Sequence, residues 1–278
     1  MTSLEVAPGL AALTVLVTGG ASGIGRATAH RFAAAGATVA IFDRDTQSSA
    51  VVVEELRDLG ARAALSITGD TGSPHDVETC FLGVLEALGP IDTCVIAAGV
   101  GTVYGPVDQL AIEEWDRVVG INLRGAFLVM RQAIPQLRLH GGGTITAVAS
   151  VDGLVAETGL AAYCASKAGL VNLVRTVALD SAREGIRANV VCPSATDTPM
   201  IRSRMDTLPD GDDIIRAIGE RHPVGRLLQP AEIADTVAFL ASTAASGITG
   251  AVIEVDLGLM AGWEAYRRPG WLEPGGPF

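Results

Sequence analysis

Short apolar runs recur along this chain, each followed by a stretch in which apolar residues fall three and four positions apart. Residues 13–18, Leu-Thr-Val-Leu-Val-Thr, are almost wholly apolar and β-branched, the pattern of a strand buried on both faces of a parallel sheet. Further strands are predicted at residues 38–42, 63–68, 91–97, 144–149, 187–192 and 251–256. Helical spacing predicts helices over residues 26–35, 48–59, 75–88 and 232–241, with Ser73 and Pro74 opening the third. A longer helix is expected over residues 112–139, interrupted at Pro135, and another carries Tyr163 and Lys167. Strands alternating with helices predict an α/β fold: a doubly wound, Rossmann-type parallel sheet of seven strands with helices on both faces.

No linker divides the 278 residues, so one domain is expected, with its core at residues 13–256. Residues 198–222 are polar, contain two prolines and the run Asp210-Gly211-Asp212-Asp213, and are read as a mobile lid or substrate loop. The tail, residues 257–278, holds Trp263, Tyr266, Trp271 and Phe278. Aromatics seldom stay in water, so this tail is expected to dock on a neighbouring subunit or roof the substrate pocket.

The net charge of -11 argues against nucleic acid as a partner, because phosphate binding needs a concentrated positive footprint. Cys80, Cys94, Cys164 and Cys192 show no metal-ligand spacing and read as reduced, small hydrophobic residues. With no basic leader and no apolar run long enough for a membrane span, the expected compartment is the cytoplasm, without a membrane partner.

Candidate chemistry begins where the first strand stops. Gly19 ends it, and Gly20-Ala21-Ser22-Gly23-Ile24-Gly25 runs into the first helix, the order that aims backbone N–H groups at a phosphate. Asp43 closes the second strand 18 residues after Gly25, near the spacing of a carboxylate that binds an adenosine ribose. That carboxylate, with no basic residue before Gly23, favours NAD; Arg44 keeps NADP open. Asp70 and Thr71 follow the third strand, and Ala98 and Gly99 the fourth, at the strand ends where such sheets bind ligands.

Lys167 is the only lysine among 20 Lys and Arg residues, and it stands four positions after Tyr163. On a helix the two side chains are neighbours. An ammonium beside a phenol is expected to pull the phenol's pKa down. Ser150, delivered by the fifth strand, is 13 residues before Tyr163, room for residues 151–160 to fold back. Asn122, between Gly120 and Gly125, is locally unfavourable inside a helix, and such a violation marks a site.

Together these motifs resemble the short-chain dehydrogenase/reductase family, in its shorter single-domain branch, over residues 13–256. Its Thr-Gly-x-x-x-Gly-x-Gly stands as Thr18, Gly19, Gly23 and Gly25, and its Tyr-x-x-x-Lys as Tyr163 and Lys167. Its helix asparagine is Asn122, its serine Ser150, and its Asn-x-x-x-Pro-Gly with a following threonine is similar to Asn189, Pro193 and Thr198. The resemblance implies a nicotinamide cofactor across the strand ends, with Pro193, Thr196 and Thr198 among its contacts, and a homo-oligomer, tetramer or dimer, built on the long helices. Three positions depart from it. Ile96-Ala97-Ala98-Gly99 replaces Asn-Asn-Ala-Gly, Ser194 replaces the glycine after Pro193, and Leu257 replaces a glycine after Asp256.

The expected reaction is NAD-dependent interconversion of a small-molecule secondary alcohol and a ketone. Tyr163 is the expected base, tuned by Lys167, which also holds the nicotinamide ribose; Ser150 bonds the substrate oxygen and Asn122 holds a relay water. The alternative is an NAD-binding sensor or scaffold without turnover, for which a proton relay is superfluous. Epimerases of the longer branch use another glycine spacing, and enoyl reductases space Tyr and Lys more widely. The expected pocket walls, residues 151–160, Ser194 and residues 198–205, include Asp152 and Glu157, which disfavour an anionic substrate if they face inward.

Overall fold

A computed structural model describes residues 8–262. The strands are β1 (Thr14–Thr18), β2 (Thr38–Asp43), β3 (Ala63–Thr68), β4 (Thr93–Ile96), β5 (Gly143–Val148), β6 (Ile186–Pro193) and β7 (Val252–Val255). They form one seven-stranded sheet in the order β3-β2-β1-β4-β5-β6-β7, parallel throughout. The order reverses between β1 and β4, and a crevice opens there beyond the strand ends.

Alternate strand residues feed the two sides of the sheet. Leu16, Ala40, Phe42, Cys94 and Ile96 face one core, which α3 (Pro74–Leu88), α5 (Ala126–Leu139) and α6 (Ala161–Ser181) cover. Val15, Val17, Val39, Ile41 and Val95 face the other, under α1 (Gly23–Ala34), α2 (Thr46–Asp58) and α9 (Pro230–Ala241). Burial on both faces is why these strands read as continuous apolar runs. As expected, Ser73 caps α3, accepting from the Asp76 N–H, and Pro74 is its first residue.

Two expectations fail. The long helix is not interrupted at Pro135, which lies inside α5 with Val129, Met130, Ala133 and Leu137 buried around it. Packing on both sides of the proline outweighs its missing N–H. The break comes earlier, where α4 (Ile112–Val119) passes into α5 through a π-type turn, Gly120–Gly125. Residues 198–222, expected as a mobile lid or substrate loop, are not irregular but contain α7 (Pro199–Met205) and α8 (Gly211–Glu220). The acidic run that suggested a solvated loop places Asp212 and Asp213 in the first turn of α8, where carboxylates complement the helix dipole. The aromatic residues Trp263, Tyr266, Trp271 and Phe278 lie outside the described residues.

Candidate active site

The turn after β1 is built to let main chain approach main chain. Gly19 has φ 68°, and a Cβ there would fall 2.8 Å from the Ala98 backbone. A Cβ on Gly25 would lie 2.0 Å from the Gly19 carbonyl oxygen. Only glycine permits these two contacts. Ser22 stands at the N-cap of α1 and makes no side-chain cap bond. Asp43 sits across from the turn, its Oδ2 accepting from the Ala21 N–H at 3.0 Å and its Oδ1 from the Asp45 N–H at 3.1 Å. Thr18 Oγ1 accepts from the Ala98 N–H at 3.3 Å and ties β4 to β1 without the asparagine amides missing from residues 96–97.

A cleft of about 240 Å³ runs across these strand ends. Gly19, Ser22, Gly23, Ile24, Gly25, Asp43, Asp70, Thr71, Ala98, Gly99, Tyr163, Lys167 and Thr198 all line it. Pro193 and Thr196 do not; Pro193 ends β6, and Thr196 is buried, donating from Oγ1 to the Ser194 carbonyl at 2.9 Å. Arg44, Gly69, Val100, Ile121 and Met200 also line the cleft. Gly69 is adjacent to a predicted residue, and Met200 falls within residues 198–205, expected as a pocket wall.

At the far end, Lys167 is 5% exposed and its Nζ donates to the Val148 carbonyl at 3.0 Å. Nζ stands 5.6 Å from the Tyr163 ring centroid. Burial pulls the ammonium down to about 8, while Cys192 and Asp152 work against that pull. For Tyr163 the observed direction is opposite to the expected one. Burial of the phenol pushes it above its ordinary value, the Asp152 carboxylate adds to the push, and the Ser150 hydrogen bond opposes it. The cost of removing a phenolate from water outweighs the pull of the nearby ammonium.

The π-type turn delivers Asn122 into the site. Its Nδ2 donates to the Val100 carbonyl at 3.0 Å and to Ser166 Oγ at 3.2 Å, and its Oδ1 accepts from the Val100 N–H at 2.8 Å. The amide therefore braces the segment after β4. A Cβ on Gly99 would be 3.3 Å from Asn122 Oδ1 and 3.6 Å from Lys167 Nζ, so these groups share one floor.

Ser150, like Asn122, is buried behind the residues that line the cleft. Its Oγ donates to Asp152 Oδ2 at 3.1 Å and accepts from the Asp152 N–H at 3.1 Å. Asp152, half-buried, is raised to about 6, first by burial and next by the neighbouring Glu157 carboxylate. The substituted Ser194 also has a specific partner, with its Oγ 2.8 Å from Nε2 of the buried His222. Since Nδ1 faces the Ile218 and Gly219 carbonyls at 3.1 and 3.3 Å, Nδ1 carries the proton and Nε2 accepts from Ser194. Leu257 has φ 54°, the only described non-glycine residue in the left-handed region.

A family model described as Enoyl-(Acyl carrier protein) reductase matches residues 19–260. A cis-4-hydroxycyclohexanecarboxylate dehydrogenase of Sinomonas cyclohexanicum is 38% identical over 246 residues, covering 88% of this chain and 96% of that protein. The chain belongs to the short-chain dehydrogenase/reductase family. This short-chain dehydrogenase/reductase is also 38% identical to a meso-2,3-butanediol dehydrogenase of Serratia marcescens, with 89% and 94% of the two chains covered. Among solved structures it is similar to levodione reductase, with TM-score 0.87 at 33% identity over 90% of this chain and 98% of that one. A 3-ketoacyl-(acyl-carrier-protein) reductase from Brucella melitensis complexed with NADH gives TM-score 0.81 at 33% identity, covering 89% and 98%. Actinorhodin polyketide ketoreductase with NADPH gives 0.85 at 34%, covering 90% and 98%. Membership makes this chain an oxidoreductase.

Proposed function

We propose that this short-chain enzyme is an NAD-dependent dehydrogenase that interconverts a secondary alcohol and a ketone. The carrying observation is that Tyr163 and Lys167 stand in the same crevice as the glycine-rich turn and the Asp43 carboxylate, with Ser150 beside the phenol. The residues fit a dinucleotide. Gly99 leaves the floor beside Lys167 Nζ and Asn122 Oδ1 open where a side chain would fill it. The turn from Gly19 to Gly25 would hold the diphosphate, Asp43 the adenosine ribose, Asp70 and Thr71 the adenine end, and Ala98, Gly99, Lys167 and Thr198 the nicotinamide end. Asp43 repels a 2′-phosphate, which supports NAD over NADP despite Arg44 in the same cleft.

When bound, the nicotinamide supplies the hydride acceptor. Tyr163 Oη takes the proton from the substrate hydroxyl, and Ser150 Oγ holds the substrate oxygen beside it. Lys167 favours the phenolate that this step requires, against the burial that disfavours it. Asn122 keeps the floor in place, and the second lone pair of its Oδ1 is free to hold a relay water.

Exposed Ile112 and Trp115 on α4, Phe127 on α5 and Leu179 on α6 support a homo-oligomer built through these helices. No helix of the described residues is long and apolar enough to cross a membrane. The four free thiols suit the cytoplasm.

The experiment is an NAD- and NADP-linked oxidation panel of cyclic, terpenoid, steroid and sugar alcohols, followed by nicotinamide absorbance. Turnover with NAD is expected. NAD binding without turnover of any alcohol or ketone would replace this reading with that of a binding protein.

A further inference from the structure

Beside the Tyr163 end of the cleft, a neighbouring depression lined by Asp152, Leu154 and Cys164 brings in negative charge that the proposed chemistry does not need. Asp152 Oδ2 is 3.1 Å from Ser150 Oγ. A substrate oxygen within hydrogen-bond reach of Ser150 therefore comes within about 6 Å of this carboxylate. Asp152 forms no ion pair of its own among the described residues. The nearest guanidinium, Arg221 at the end of α8, is 3.6 Å from Glu157 and 62% exposed. Two carboxylates thus face one shared, largely solvated cation. The remaining groups around Asp152 are Tyr163, Cys164 and Lys167 on α6. Of these only Lys167 is cationic, and its Nζ is turned to the Val148 carbonyl.

We infer that Asp152, backed by Glu157, is a specificity-determining residue that rejects carboxylate-bearing alcohols and favours uncharged substrates with a second hydroxyl near the reacting one. This rests on the dehydrogenase reading above. A carboxylate accepts hydrogen bonds and donates none, so it welcomes a neighbouring hydroxyl and repels a second carboxylate. Its carboxyl, held near 6, is ionised at neutral pH, when this discrimination operates.

The test measures kcat/KM with NAD at neutral pH for three substrates on one ring: cyclohexanol, cyclohexane-1,2-diol and cis-4-hydroxycyclohexanecarboxylate. The wild-type enzyme should prefer the diol to the hydroxy acid by roughly 100-fold, and Asp152→Asn should cut that ratio by at least about tenfold. Glu157→Gln, farther from Ser150, should move the ratio the same way by less. A wild-type enzyme that oxidises the hydroxy acid as well as the diol overturns the inference. So does an Asp152→Asn enzyme that loses rate equally on all three, which is the signature of a merely structural residue. Absence of turnover on these rings and on every alcohol of the wider panel, with NAD still bound, overturns the dehydrogenase reading itself.

Discussion

The two halves of the cleft are made of different material. The half beside β1 and β2 is main chain: a turn in which Gly19 and Gly25 allow backbone atoms to approach closely, with one carboxylate, Asp43, facing it. The half beside β5 is side chain: Tyr163 and Lys167 of α6 line it, with Ser150 and Asp152 next to them at a strand end and in a short 3-10 turn. Backbone donors bind what every dinucleotide shares, a diphosphate. Side chains carry what differs between reactions, a proton acceptor and a charge pattern. Binding and chemistry are therefore expected to fail separately when each half is damaged.

The largest effect on binding should come from the main-chain half. Gly25→Ala places a Cβ against the Gly19 carbonyl, so the turn must open; NAD affinity, read by titration, should fall at least roughly 100-fold. Retained affinity would show that the turn is not the binding element.

Lys167→Arg comes next. It keeps the positive charge but asks a planar guanidinium to occupy a site that is 5% exposed and shaped around one ammonium–carbonyl bond. Turnover at neutral pH should drop by about 10²-fold, with a smaller loss of NAD affinity. A fully active variant would show that charge alone suffices.

The smallest effect should lie behind the cleft. Ser194→Ala removes the partner of the buried His222 Nε2, which costs about 1–3 kcal/mol of stability measured by denaturant titration. Turnover should change little. An unchanged midpoint would mean that the histidine finds another donor.

The same contrast explains what could be read from the chain itself. β1, the turn and Asp43 were legible because each is local: a run buried on both faces, glycines at fixed offsets, and a carboxylate at a strand end. Tyr163 and Lys167 were legible because a helix makes their spacing a distance. The π-type turn was only half visible. Asn122 flagged an irregularity, but Pro135 drew the break to the wrong place, since the packing that carries α5 through a proline comes from the sheet and α3. The direction of Asp152, the Arg221–Glu157 pair and the Ser194–His222 bond join segments far apart in sequence, and no periodicity records them. The expected downward pull on Tyr163 reversed for a related reason: proximity to Lys167 is local, whereas burial of the phenol is a property of the whole fold.

The most direct measurement is on Tyr163→Phe, which removes one hydroxyl and leaves the ring, with NAD titration and steady-state oxidation run on the same preparation. The two-part cleft predicts NAD affinity within about threefold of wild type and a kcat lower by about 10²–10⁴-fold. Near wild-type turnover would remove Tyr163 from the chemistry, and a joint loss of binding and turnover would show that the two halves are one.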